Sequence, residues 1–135
     1  YNMKIFGYPE WQTYTDDHLA SFFELDTYFY SSFYTNNLFP EAIKFTNAYR
    51  KWYSKDMANT FPKYGMLGFD TAFFFLKGLH KYGSNFEDNM NQMMLTPIQT
   101  GFKFERVNNW GGFINRKVFF VNFTKNFELI KLDFE

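Results

Sequence analysis

Residues 64–82, YGMLGFDTAFFFLKGLHKY, constrain the fold more than any other stretch of the chain. Their periodicity predicts the longest helix of the protein, closed by Gly83 as a left-handed terminator. Phe69, Ala72, Phe73, Phe75, Leu76 and Leu79 cover most of its circumference. A helix that is apolar nearly all round is expected to lie buried between layers. Asp70 interrupts the apolar stretch and, if buried, needs a hydrogen-bonding partner.

The flanking segments suggest what those layers are. Met3 to Tyr8 reads as a short strand stopped by Pro9. Thr15 or Asp16 can cap a helix bearing Leu19, Phe22, Phe23 and Leu25 at helical spacing. Thr27 to Tyr34 is aromatic and β-branched, with Tyr28, Tyr30, Ser32 and Tyr34 on one face and Phe29, Ser31 and Phe33 on the other. Pro40 suits the first position of a helix whose apolar residues are Ile43, Phe45, Ala48, Tyr49, Trp52 and Tyr53. After a polar connection over 54–62 and the long helix, Ser84-Asn85-Phe86-Glu87 has the form of a capping box. It would open a further helix with Phe86, Met90, Met93 and Met94 on one face, ended by Pro97. The remainder reads as β: Phe102 to Val107, a hairpin loop over 108–112, Phe113 to Phe123, and Phe127 to Phe134. The expected fold class is α/β: a mixed sheet with flanking helices and a C-terminal hairpin or meander.

Charge and composition narrow the function. Lys and Arg match Asp and Glu at 14 each, which removes the electrostatic footprint of a nucleic-acid binder. There is no cysteine, so disulfides and cysteine-ligated metals are excluded. The longest apolar run, Ala72 to Leu76, is far too short to span a bilayer. Aromatic residues make up 25% of the chain, enough to feed both a core and an interface. Because the chain opens on Tyr1, with a strand already under way, it is expected to be excised from a longer protein whose targeting signal lies upstream.

Asp16, Asp17 and His18 form the one dense titratable cluster, and they fall at a helix start, where acids are stabilised by the dipole. His80 lies near a helix C-terminus, the mirror-image position. A zinc site needs three convergent ligands, and neither histidine has a second one nearby. No serine stands in a nucleophile elbow, and Gly65-Met66-Leu67-Gly68 lacks phosphate-loop spacing. No catalytic residue, metal or cofactor is therefore expected. Asn122-Phe123-Thr124 is a formal glycosylation sequon inside a predicted strand, where it is read as coincidental.

The order of "FGYPEW", "TYFYSSFY", "FPEAIKFTNAYRKWYSKDM" and "FPKYGMLGFDTAFFFLKGLHKYG" resembles the last part of type I periplasmic binding proteins, especially the amino-acid receptors. Phe45, Tyr49, Pro62, Tyr64, Phe69 and Asp70 occupy the positions of the family's late motif, with Phe69 replacing the usual tyrosine. "TGFKFERVNNWGGFINRKVFFVNF" is similar to its terminal hairpin. The aromatic-rich form resembles envelope proteins carrying peptidoglycan-binding LysM modules upstream. The resemblance implies a single C-terminal segment. Residues 1–60 would be strand–helix units of the C-terminal lobe, and 61–135 the long buried helix, a helix and terminal strands.

It further implies a non-catalytic binding module in the periplasm or cell envelope of a bacterium. An amino acid or muropeptide-like ligand would bind only together with the missing N-terminal lobe. Carried over by position, Tyr8, Glu10, Trp11, Ser32 and Tyr34 would face the cleft from one side and Tyr64 from the other. The alternative is an accessory domain of a LysM-type, peptidoglycan-associated protein labelled a cell-wall amidase, with catalysis elsewhere. A chain lacking half its receptor would expose strand edges and aromatic surface, so a homodimer or swapped assembly is expected.

Overall fold

A computed structural model describes residues 3–14 and 16–132; Thr15 as an alternative helix cap, and the end of the last predicted strand, lie outside the described residues. In chain order the elements begin with β1 (Phe6–Gly7), a 3-10 turn (Pro9–Thr13), α1 (Asp17–Glu24) and β2 (Tyr28–Ser31). The long helices α2 (Pro40–Tyr53) and α3 (Tyr64–Tyr82) follow, then a short α4 (Phe86–Asn89) between two 3-10 turns. The chain continues through β3 (Phe104–Arg106), β4 (Phe113–Asn115), β5 (Phe119–Phe123) and β6 (Leu129–Leu132). The protein is thus mixed α/β, and it forms two compact units. One joins the segment up to Ser32 with that from Val118 onward; the other is Phe33–Lys117.

The first unit is a four-stranded mixed sheet in the order β1-β2-β5-β6, in which β1 and β2 run parallel and the other pairs antiparallel. A parallel pair needs a crossover, and the 3-10 turn and α1 supply it. The sheet's register places Phe29, Val121 and Phe123 on one face, where they are buried against Phe22 of α1. Trp11 stacks on Phe22, with ring centroids 5.2 Å apart. Gly7 makes room for that indole, since a Cβ there would lie 2.2 Å from Trp11 Cε3. The opposite face, bearing Phe6, Tyr28, Tyr30, Phe120, Ile130 and Leu132, has no helix of this unit over it.

The second unit is organised by α3. Met66, Asp70, Phe74 and Gly78, one turn apart, form its buried stripe. Met66 packs with Ala42 of α2 and Ile98. Phe74 packs with Phe86 and Met90, surrounded by Phe102, Phe104 and Phe113. Gly78 admits the Phe86 ring so closely that a Cβ would sit 2.0 Å from it. Between these two clusters Asp70 accepts from the backbone N–H groups of Ile98 at 2.9 Å, Gln99 at 2.7 Å and Thr100 at 2.8 Å. This is the partner that a carboxylate inside an apolar helix requires. Gly83 ends α3 at φ +54°, a backbone that L side chains rarely adopt.

Several expectations are corrected. α3 is not buried between layers: Phe69, Ala72, Phe73, Leu76 and Leu79 stay exposed, because the chain packs structure against one side of the helix only. The inward residues of α2 are Ala42, Phe45 and Tyr49, while Ile43, Ala48, Trp52 and Tyr53 are exposed. β2 stops at Ser31 because Phe33 and Tyr34 pair with Thr100 and Gln99 instead. The expected strand over 113–123 breaks into β4 and β5, which belong to different sheets. Asn115 organises the break, its Oδ1 accepting from the Lys103 and Lys117 N–H groups and its Nδ2 donating to the Gly101 carbonyl. No capping box forms at Ser84; Glu87 instead pairs with Arg106 of β3, and α4 is a single turn. Met90 is core and Met93 half-buried, but Met94 is 92% exposed.

Candidate functional site

Local sequence accounts for where the candidate residues fall. Pro9 starts the 3-10 turn, which carries Glu10 exposed and Trp11 half-buried, with Tyr8 immediately before it and exposed. Thr13 Oγ1 donates back to the Glu10 carbonyl at 2.7 Å, tightening that turn. Tyr8, Glu10 and Trp11 are therefore brought together, but the Trp11 ring is spent on Phe22 as packing. Ser32 is exposed just past β2. Tyr34 and Tyr64 belong to the second unit: Tyr34 is half-buried with its N–H donated to the Gln99 carbonyl at 3.0 Å, and Tyr64 is an exposed first residue of α3.

The acid cluster sits as its position in sequence implies. Asp16 takes the N-cap position of α1 at φ 59°, Asp17 lies in the first turn, and the His18 ring stands 5.7 Å from that of Tyr14. Among the described residues no group of three or more metal-ligating side chains converges. The sequon residue Asn122 is buried in β5, donating through Nδ2 to Asp26 Oδ1 at 3.1 Å and to the Thr27 carbonyl at 3.3 Å.

Three concavities stand out, one of them an open depression of about 470 Å³ beside the acid cluster, lined by Thr13, Tyr14, Asp16, Asp17 and His18. In the second unit α2, the polar connection after it and the start of α3 line an open pocket of about 360 Å³. Its apolar lining is Ile43, Met57 and Met66; its polar lining is Asn37, Thr46, Asn47, Arg50, Asp56 and Lys63. Arg50, in the last turn of α2, is ion-paired with Asp56, so a cation and an anion stand side by side in the lining. Lys63 is held by Gln99, whose Oε1 accepts from the Lys63 N–H at 3.0 Å and whose Nε2 donates to its carbonyl at 3.2 Å. Buried Gln99 thus fixes the backbone from which Lys63 projects. Sequence reasoning passed over this set. Its only signal is a polar connection rich in turn residues following a helix that ends in Arg50 and Lys51.

In the first unit an open apolar depression of about 560 Å³ lies on the uncovered sheet face, lined by Lys4, Phe6, Tyr28, Phe120 and Leu132. Lys4 Nζ donates to Asp26 Oδ2 at 2.7 Å and to the Tyr28 hydroxyl at 3.3 Å. The hydrogen bonds from Lys4 and then Asn122 hold the Asp26 carboxyl below the usual carboxylate range, and the bond to Asp26 raises the Lys4 ammonium. That ion pair neutralises the rim and leaves the aromatic floor as the distinguishing feature. Comparison with known protein families, curated proteins and solved structures returned no match.

Proposed function

We propose that the protein is a non-catalytic binding module, the C-terminal portion of a solute-receptor-like protein of the bacterial cell envelope. The observation that carries this reading is the pocket beside α2, whose lining combines adjacent opposite charges with three apolar side chains. Its volume lies in the range of small-molecule sites. A zwitterion with a short apolar side chain suits it: the ligand carboxylate would take the Arg50 guanidinium, the ammonium would take Asp56, and the side chain would rest on Ile43, Met57 and Met66. Trading one exposed ion pair for two costs little, because a solvated surface pair contributes only ~0–1 kcal/mol. The resemblance in motif order to amino-acid receptors supports the same ligand class.

A thermal-shift screen of free amino acids and muropeptides tests the reading. A ligand at about a hundredfold its Kd stabilises the folded chain by ~2.7 kcal/mol, a rise in Tm of several degrees. Arg50→Ala and Asp56→Ala, both at the surface, should each remove that rise without lowering the Tm of the free protein. No shift with any amino acid or muropeptide counts against the proposal. A shift confined to muropeptides would favour the accessory cell-wall domain instead.

A further inference from the structure

We propose that the open side of α3 is the contact surface of a homodimer, in which α3 helices of two copies pack antiparallel across a two-fold axis at Ala72. Opposite the buried stripe of Met66, Asp70, Phe74 and Gly78, the helix carries Gly68, Phe69, Ala72, Phe75, Leu76 and Leu79. These recur every three to four residues, the spacing of a helix-packing seam, and all are exposed. Nothing lies within 4 Å of the place a Gly68 Cβ would occupy, so Gly68 marks a hole. Leu76, two turns on and 68% exposed, is a knob.

Antiparallel pairing centred on Ala72 sets Gly68 of each copy against Leu76 of the other, Phe69 against Phe75, and Ala72 against its own counterpart. Each copy then supplies both hole and knob, which is the self-complementarity that an isologous interface demands. Gly68 and Ala72 also let the backbones approach closely. Area and charge point to a second copy as the occupant. The exposed apolar surface on this side is on the order of 500 Å², in the upper part of the range for a monomer's largest apolar patch, which is often a contact site. Pairing two copies removes at most about 1,000 Å², the lower limit for a specific interface, so the dimer is expected to be a weak one. None of the six residues is charged, so self-pairing opposes no like charges, and a charged partner would find no counter-charge.

The chain has no cysteine, so introduced ones report contacts cleanly. Under mild oxidation Ala72→Cys, on the axis, is expected to form a disulfide-linked dimer at least about tenfold faster than Lys77→Cys, because only the axial pair comes within Cα–Cα bonding reach. Light scattering over a concentration series is expected to show a dimer of the unmodified chain. Leu76→Glu should weaken association by about thirtyfold or more, as loss of a central anchor does, with an unchanged circular dichroism spectrum. The proposal is overturned if the unmodified chain stays monomeric to its solubility limit. It is equally overturned if Ala72→Cys cross-links no faster than Lys77→Cys, or if Leu76→Glu associates as tightly as the parent.

Discussion

Each unit contains an aspartate that gathers segments remote in sequence, and the two do so by different chemistry. Asp26, in the first unit, sits in a turn at φ 52° and takes side-chain donors, Lys4 at 2.7 Å and Asn122 at 3.1 Å. Asp70, in the second, is 3% exposed and takes three consecutive backbone N–H groups. Water can replace the donors of Asp26 when the turn opens, but it cannot reach the Ile98–Thr100 amides while the unit stays folded. A buried donor stripped of its acceptor costs its full desolvation, whereas a surface ion pair contributes little. The second unit should therefore depend on its aspartate far more than the first.

The largest expected effect is that of Asp70→Ala, which orphans three buried amides and should destabilise the second unit by on the order of 4 kcal/mol. Amide exchange at Ile98, Gln99 and Thr100 reads it directly. If those amides exchange no faster in Asp70→Ala than in the parent, the contrast between the two carboxylates is wrong. Asp70→Asn keeps one acceptor but turns an NH₂ toward a donor, so about 2 kcal/mol is expected by the same measurement.

Glycine substitutions sharpen the comparison at an intermediate scale. At Gly78 a new Cβ meets the Phe86 ring at 2.0 Å inside a core of large aromatic groups, so Gly78→Ala should cost ~1–3 kcal/mol by denaturant titration. At Gly7 the Cβ meets Trp11, which stands on a short 3-10 turn. That turn can move outward, so Gly7→Ala should cost less. A larger loss at Gly7 would show that the Trp11–Phe22 stack is the more rigid of the two.

The smallest effect belongs to pH and the Lys4–Asp26 pair. Asp26 titrates below its ordinary value, so its contribution is complete above pH ~4 and fades as the pH falls through the lowered value. Lys4 titrates above its ordinary value, so its share is complete below pH ~10.4 and fades as the pH rises through the raised value. Between those limits the first unit should show a flat stability plateau with respect to this pair. Asp26→Asn should flatten the acid limb of a stability–pH profile; an unchanged acid limb would remove the pair from the account.

The elements with strong local signals were legible in the sequence. Pro40 marks the first residue of α2, and α3 runs from Tyr64 to Tyr82 with Gly83 at positive φ, as its punctuation predicts. The loop over 107–112 joins β3 and β4 as a hairpin. The faces of α2 and α3 were not legible. In a chain so rich in aromatics, nearly every helical position is apolar, so periodicity does not single out the buried stripe. Small Ala42 and Gly78 and charged Asp70 occupy inward positions, while Leu76 and Trp52 point out. The pocket was hidden for a related reason. Arg50, Asp56 and Lys63 carry no recognisable spacing, and only the path of the connection brings them to one opening.

By itself, then, the sequence determined the existence and limits of the two long helices, the hairpin and the balance of charge, because each rests on interactions between near neighbours. Tertiary structure alone decided that β5 leaves the hairpin to pair with β2, that Asp70 serves the 98–100 backbone, and which side of α3 stays open. Those outcomes depend on which distant groups satisfy a buried donor or fill a cavity, and that competition is settled only when the whole chain is packed.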